Sequence, residues 1–292
     1  TGDRLAILTI ASNLIKTVDV PAALNISTTR SFLTPTGVMY TAKAVGGNVL
    51  TTKLYDWNNA QLTDLGMPNS ASSLTVAGDY AIWSNGTTLW LRQLSTKTNT
   101  QVSTTAGNWY NAVGTNGVVS YWAGSPNYSI ERYDAGVYTT LAADNDYRNI
   151  YVVSDGVRFV YLKEDDQGTA ITYHDGTNES LLTGFFINRP SSGRNYQINN
   201  GWVAFTELGG IGQTHVWTRD VNGILLQHTN YGSDSYIDGL SADGELMLIN
   251  SGKRYLSNNT AQSVLIGSTL GKSTKINGQW YITIGRSLFK VL

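Results

Sequence analysis

An all-β fold built from repeated four-stranded units is what this sequence predicts, and three observations predict it. A glycine recurs at Gly37, Gly78, Gly117, Gly156, Gly201, Gly244 and Gly278, at intervals of 41, 39, 39, 45, 43 and 34 residues. Each of these glycines is followed by an alternating or apolar run of strand character. No stretch sustains the 3.6-residue apolar period that a helix of three or more turns requires.

The clearest unit runs from Tyr151 to Thr183, YVVSDGVRFVYLKEDDQGTAITYHDGTNESLLT. Its first apolar run ends in Ser154-Asp155-Gly156, and an alternating run with Val157, Phe159 and Tyr161 follows. After a polar loop comes a third run, Ala170 to Tyr173, and His174-Asp175-Gly176 turns the chain into a fourth around Leu181 and Leu182. Glycine suits the first turn because a tight hairpin needs positive φ, which glycine supplies without a Cβ clash.

The other units repeat this order. Second-strand runs read VMYTAKA, DYAIWSN, VVSYWAG, VRFVYLK, WVAFTEL, ELMLINS and QWYITIG. Third-strand runs with a bulky centre read KLYDW, LWLRQL, SIERYD, AITYHD, HVWTRD, RYLSNN and SLFKVL. Shorter fourth runs are QLTDL, TQVST, VYTTL, SLLT, LLQHT and SVLIG. A repeat of roughly 40 to 50 residues built this way has the period of a propeller blade. The segments SADGELMLINSGKRYL and SDGVRFVYLKEDDQGTAITYHDGTNESLLT resemble the TolB-like and WD40-like β-propeller repeats of bacteria, which carry a Ser-x-Asp-Gly turn before strand two and an Asp-Gly turn before strand four. The resemblance covers about residues 31 to 292. It implies the architecture and assigns no functional residue.

The expectation is a single β-propeller domain over residues 1–292, with seven blades of four antiparallel strands. The unit that begins at Lys272 reaches Leu292 with only three strands, so its fourth is expected from Leu14 to Val20 or Leu24 to Ser27. That pairing would join the chain ends and remove an exposed sheet edge. The alternative is eight blades, because GDRLAILTIASNLIKTVDVPAALNIST aligns with GDYAIWSNGTTLWLRQLSTKTNTQVST and makes the start an incomplete eighth unit marked by Gly2.

Composition narrows the partners. With 20 basic and 21 acidic residues the net charge is −1, which provides no long-range field to attract phosphate backbones or anionic membranes. Nucleic acid is therefore not an expected partner. Charged residues make up 14% of the chain, against roughly 25% in an average globular protein. Low charge and abundant Thr, Asn and Gly point to an exported bacterial protein, secreted or at the cell surface. Cysteine is absent, and the apolar runs, such as Leu5 to Ile10, fall far below the ~20 residues that cross a bilayer. The chain begins Thr-Gly-Asp, without a basic or apolar leader, as expected of a mature form or excised domain, a monomer or part of a larger protein.

Loop lengths polarise the repeat. The connections from strand four to the next strand one, and from strand two to strand three, leave the same face and are long, whereas the opposite turns are tight. The inter-unit loops deliver Trp109, Tyr110 and Asn111; Asp146, Tyr147, Arg148 and Asn149; Phe185, Phe186, Arg189, Arg194, Asn195 and Tyr196; and Tyr231, Asp234 and Tyr236. Loops Gly124 to Tyr128, Lys163 to Asp166 and Glu207 to Gln213 join them.

Aromatic faces beside planar amides and guanidinium groups suit a sugar ring. The candidate ligand-binding set is Trp109, Tyr110, Asn111, Tyr147, Arg148, Asn149, Arg194, Tyr196, Asp234 and Tyr236. A protein partner would instead use Phe185, Phe186 and Arg189 as anchors. The structural alternative for each aromatic is that it seals a blade top and bonds to backbone.

Glu164, Asp165 and Asp166 offer hard oxygens for calcium, but adjacent loop carboxylates are more often solvated, and neither metal nor cofactor is expected. His174, His215 and His228 show no metal-ligand spacing or triad, and nucleophile-elbow, phosphate-loop and dinucleotide motifs are missing. The functional expectation is a non-catalytic recognition or scaffold propeller that binds a glycan or protein surface on its long-loop face. The alternative is a polysaccharide-active lyase or hydrolase, with Tyr147 and Arg148, or Tyr196 and Arg194, supplying a base and a uronate-neutralising group.

Overall fold

The computed structural model describes residues 4–9, 14–19, 24–34, 37–47, 50–56, 61–64, 74–85, 88–104, 106–123, 128–143, 148–185, 195–208, 213–230, 232–268, 271–276, 278–284 and 287–291. These residues contain strands and turns and no helix. The chain divides into two compact units, Thr1–Val119 and Ser120–Leu292.

The first unit opens with a hairpin, β1 (Arg4–Thr9) against β2 (Leu14–Asp19). A four-stranded antiparallel sheet follows in chain order: β3 (Leu24–Thr34), β4 (Gly37–Ala44), β5 (Leu50–Asp56) and β6 (Gln61–Asp64). The next sheet is β7 (Thr75–Ala77), β8 (Tyr80–Asn85), β9 (Thr88–Gln93) and β10 (Thr98–Ser103). Both segments expected to supply a closing strand have partners here. Leu14–Asp19 pairs with β1, and Leu24 to Ile26 opens β3 and pairs with Ala42 to Ala44 across a register shift. Met39, Leu54, Leu74, Ala81, Trp83 and Leu94 form a buried cluster from both four-stranded sheets, with Trp83 stacked on Trp90 at 6.5 Å.

A further sheet, β11 (Ala106–Val113), β12 (Val119–Ala123), β13 (Ser129–Asp134) and β14 (Val137–Ala142), contains the division between the units, inside β12. The second unit continues with three more four-stranded meanders. They are β15 (Arg148–Ser154), β16 (Phe159–Asp165), β17 (Gly168–His174) and β18 (Glu179–Leu181); β19 (Tyr196–Asn199), β20 (Trp202–Leu208), β21 (Thr214–Arg219) and β22 (Leu225–Gln227); and β23 (Ser235–Leu240), β24 (Leu246–Asn250), β25 (Lys253–Ser257) and β26 (Ser263–Ser268). A three-stranded sheet, β27 (Lys272–Ile276), β28 (Gln279–Ile284) and β29 (Ser287–Lys290), ends the chain. Every sequence-predicted second and third strand has its counterpart, and β15 to β18 are the unit read from Tyr151 to Thr183.

The second strands are buried on both faces, which is why they read as nearly continuous apolar runs: Phe159 to Leu162 of β16 and Leu246 to Leu248 of β24 are all solvent-excluded. Residues of β16 and β17 pack against Tyr196, Val203 and Phe205 of the next sheet. The recurrent glycines do more than permit a turn. Gly201 and Gly244 have φ of +84° and +85°, and a Cβ there would come within 2.6 Å of the Arg158 guanidinium and the Trp202 indole respectively. Each glycine thus makes room for a side chain at the entry to the second strand of the preceding sheet, Arg158 just before β16 and Trp202 at the start of β20.

The turns after the first strands are tied to one another within this unit. Asp155 Oδ2 accepts from the Gly201 amide at 2.7 Å, while Asn199 and Asn200 donate to the carbonyls of Leu240 and Ala242 at 3.0 and 3.3 Å. Lys275 Nζ then lies 2.8 Å from both Asp243 and Glu245. Polar turn residues therefore link successive sheets where apolar packing ends.

Candidate functional site

At the long-loop end, the structure brings together Arg148, Tyr128 and Trp122. The Arg148 guanidinium lies 5.2 Å above the Tyr128 ring, which stacks on Trp122 with centroids 6.0 Å apart and planes 17° from parallel. Both spacings fall in the attractive range for a cation over an aromatic face and for offset rings. Local backbone sets this up. Tyr128 ends the strand-two to strand-three loop at φ 40°, a conformation uncommon for a residue with a side chain, and its carbonyl accepts from the Asn149 amide at 3.1 Å. Arg148, at the edge of β15, remains exposed, whereas Trp122 and Tyr128 are half-buried.

The other predicted site residues are dispersed in role. Tyr196 is fully buried in the core shared with Ile150, Val160 and Phe205, and its hydroxyl donates to the Tyr151 carbonyl at 2.7 Å. It is a core residue and not a stacking platform, because the hydrophobic gain of burying the ring is realised against the preceding sheet. Asn149 is likewise solvent-excluded, with neither side-chain nitrogen nor oxygen hydrogen-bonded among the described residues, so it presents no amide to a surface ligand.

Asp234 is exposed and accepts from Thr214 N at 2.8 Å and Thr214 Oγ1 at 3.1 Å, which ties the start of β21 to the loop before β23. The Tyr236 hydroxyl donates to the same carboxylate at 3.4 Å. Asn195 donates to Thr206 Oγ1 at 3.0 Å, a strand-pairing contact. Trp109, Tyr110 and Asn111 lie on β11, where only the backbone is described. Tyr147, Phe186, Arg189, Arg194 and Tyr231 lie outside the described residues.

The acidic loop is a turn. Asp165 Oδ1 accepts from Gln167 N and Gly168 N at 2.8 and 3.0 Å. Among the described residues no group of three or more His, Asp or Glu converges as a metal site would require. His174 Nδ1 accepts from the Gly176 amide at 3.0 Å, and burial pushes its pKa down. His228 is locked between Thr218 and Ser257, and burial lowers its pKa to about 4.

Sequence reasoning missed a second feature of the second unit. A cleft of about 540 Å³ opens between β19, β23 and β27, the first strands of three successive sheets, toward the ends where they turn into their second strands. Gln197, Asn199, Asp238, Asp243, Ser273 and Lys275 bring polar groups to it. Asp238 Oδ2 accepts from Arg254 Nε at 2.9 Å and from Ser273. Hydrogen bonds from Lys275 and Ser241 hold the Asp243 pKa below its ordinary value. Burial opposes the Lys275 charge, but Asp243 and Glu245 outweigh it and raise the lysine pKa. The only sequence signal for this site was the tight Ser-x-Asp-Gly turn at Ser241.

No protein-family model matches the sequence, and no curated protein matches it. Solved structures do. A prolyl endopeptidase superposes with a TM-score of 0.58 at 13% identity, over 88% of this chain and 45% of that one. The oligogalacturonate lyase of Vibrio parahaemolyticus matches with a TM-score of 0.52 at 10% identity, over 99% of this chain and 95% of that chain. The β-propeller domain of the Trilobed protease from Pyrococcus furiosus matches with a TM-score of 0.52 at 12% identity, over 99% and 89%. TolB from Acinetobacter baumannii is also among the matches, at 16% identity and a TM-score of 0.41. The chain spans about half the length of the prolyl endopeptidase and of the Porphyromonas gingivalis dipeptidyl peptidase 4, 45% and 48%. At these identities the likeness is one of fold. With six four-stranded antiparallel meanders in series among the described residues, the chain has a β-propeller fold.

Proposed function

We propose that this protein is a non-catalytic recognition propeller of an exported bacterial protein, which engages a protein surface through the long-loop end of its sheets. The observation that carries the reading is the Arg148–Tyr128–Trp122 stack. Arginine, tyrosine and tryptophan are the side chains that most often anchor protein interfaces, and here the arginine is exposed while its aromatic support is packed in place. The Tyr128 ring already holds Trp122 and Arg148, which suits a preorganised protein anchor better than a platform awaiting a sugar ring. The near-neutral composition agrees with recognition by fixed dipoles and shape.

The test is affinity capture on the immobilised protein from a bacterial envelope extract, followed by calorimetry with the purified partner. Arg148→Ala is expected to weaken that complex at least about tenfold, the loss of one interface anchor of roughly 1.4 kcal/mol. Equal affinity of the variant would place the contact elsewhere. Glycan-array binding abolished by the same substitution would move the reading from a protein to a glycan partner.

A second reading, an enzyme acting on a polysaccharide, is favoured by one observation: the near full-length likeness to the oligogalacturonate lyase, over 99% of this chain and 95% of that one. Tyr196 is solvent-excluded, which counts against it as a base. Tyr147 with Arg148 remains as the pair for this reading. Incubation with uronate-containing and neutral glycans separates the two readings, since sustained product release comes only from an enzyme.

A further inference from the structure

We propose that the cleft between β19, β23 and β27 is a binding site for a neutral polyhydroxylated molecule, a pyranose sugar, distinct from the loop-end surface. Arg148 stands at the start of its first strand, whereas Asn199 and Leu240 stand at the ends of theirs, so the cleft opens toward the opposite ends of the strands. Its occupation does not depend on the protein-binding reading.

The polar wall of the cleft is firmly held. Arg254 is 1% exposed and donates to Asp238 Oδ2 and, at 2.9 Å, to the Gly271 carbonyl. The Asp238 side chain is only 10% exposed, and Arg254 and Ser273 both donate to its Oδ2, which fixes the carboxylate in place. Asn199 spends its Nδ2 on the Leu240 carbonyl at 3.0 Å, which fixes the direction in which its Oδ1 accepts. Lys275 is held between Asp243 and Glu245, and Glu245 in turn accepts from the Trp280 indole at 2.9 Å. These atoms keep their orientation without a ligand, so little ordering cost falls on binding.

Space and charge select the ligand. Gly239, Ala242 and Gly278 present almost no side chain to the cleft, and at Gly239 the Trp280 ring packs where a Cβ would meet it at 3.1 Å. About 540 Å³ lies within the range of small-ligand sites, roughly 300–1,000 Å³. Around it stand three carboxylates, Asp238, Asp243 and Glu245, and two cations, Arg254 and Lys275, all five in ion pairs. The surroundings therefore combine a single net negative charge with acceptors to spare. A ligand has to donate several hydrogen bonds while carrying no negative charge. Sugar hydroxyls do this, and a hydroxyl donating to a carboxylate makes one of the stronger hydrogen bonds available to a neutral molecule. A uronate would bring its charge against Asp238 and Asp243.

Saturation-transfer NMR on the full chain tests the proposal with methyl β-galactopyranoside, methyl β-glucopyranoside, N-acetylglucosamine and galacturonate as probes. The blocking variant is Ala242→Trp, at an exposed position on the cleft wall. Transfer is expected to at least one neutral pyranose, to be lost in Ala242→Trp with the melting transition unchanged, and to be missing for galacturonate. Should Ala242→Trp not fold, Asn199→Ala is expected to produce the same loss. No transfer to any neutral sugar, transfer that persists in a folded variant, or transfer to galacturonate equal to that of its neutral counterpart would each overturn the proposal.

Discussion

His228 illustrates how a single side chain sets a property of the whole protein. It is 5% exposed, with Nε2 at 2.7 Å from Thr218 Oγ1 and Nδ1 at 2.8 Å from Ser257 Oγ. Burial lowers its pKa from 6.5 to about 4, so the folded protein holds it neutral where the unfolded chain binds a proton. Its contribution to stability is fully present above about pH 7, declines as pH falls from 6.5 toward 4, and stays lost below that. The linked loss is roughly 3 kcal/mol. Urea unfolding measured from pH 7.5 to 4 should show this decline, and His228→Gln should flatten it. Arg254 makes a sharper prediction, since its removal takes the charged partner from an Asp238 carboxylate that is only 10% exposed. Arg254→Ala is expected to cost about 3–5 kcal/mol in the same assay, far more than an exposed ion pair.

At the scale of the element, the recurrent turn contributes as much order as the strands. Asp155 accepts from Val157 N and Arg158 N within its own turn and from Gly201 N of the next. Asp155→Ala removes the acceptor of all three, and the loss of stability expected from chemical denaturation is roughly 1–3 kcal/mol, with the inter-sheet bond to Gly201 the most consequential. Gly244→Val should cost more than Gly244→Ala, since either Cβ meets the Trp202 ring at 2.6 Å while φ is +85° and valine is branched there as well. Comparing the melting temperatures of the two variants checks the order. Neither substitution touches the Arg148–Tyr128–Trp122 stack, so binding through the loop end should survive in whatever fraction remains folded.

For the whole molecule, the propeller ring is proposed to close by engagement of the N-terminal strands with the last sheet. The motivation is physical: among the described residues β27 to β29 form a sheet of three strands where the preceding meanders have four, and an open sheet edge invites pairing. Deleting residues 1–22 removes β1 and β2 and leaves β3 whole. If the ring closes there, the truncated protein melts at a lower temperature in one cooperative transition. An unchanged transition would exclude this closure and favour an open ring.

The sequence alone determined that the protein is an all-β repeat, because glycine spacing and strand alternation are local signals that the backbone enforces within each unit. It also located the turns, and the Ser154-Asp155-Gly156 and Ser241-Ala242-Asp243-Gly244 segments fold as their residue types require. Of the candidate site, Arg148 was legible from its loop, and Tyr128 was visible as the last residue of a neighbouring loop. What the tertiary structure decided was which loop aromatics are surface and which are core. Tyr196 reads in sequence as one more loop tyrosine, yet it is sealed by donating its hydroxyl to the Tyr151 carbonyl, 45 positions earlier in the chain. The cleft depends on the same kind of long-range placement. Asn199, Asp238 and Ser273 lie far apart in sequence and meet only because successive first strands lie side by side. Burial and convergence are properties of neighbours, and a repeat of this length supplies its neighbours from about forty residues away.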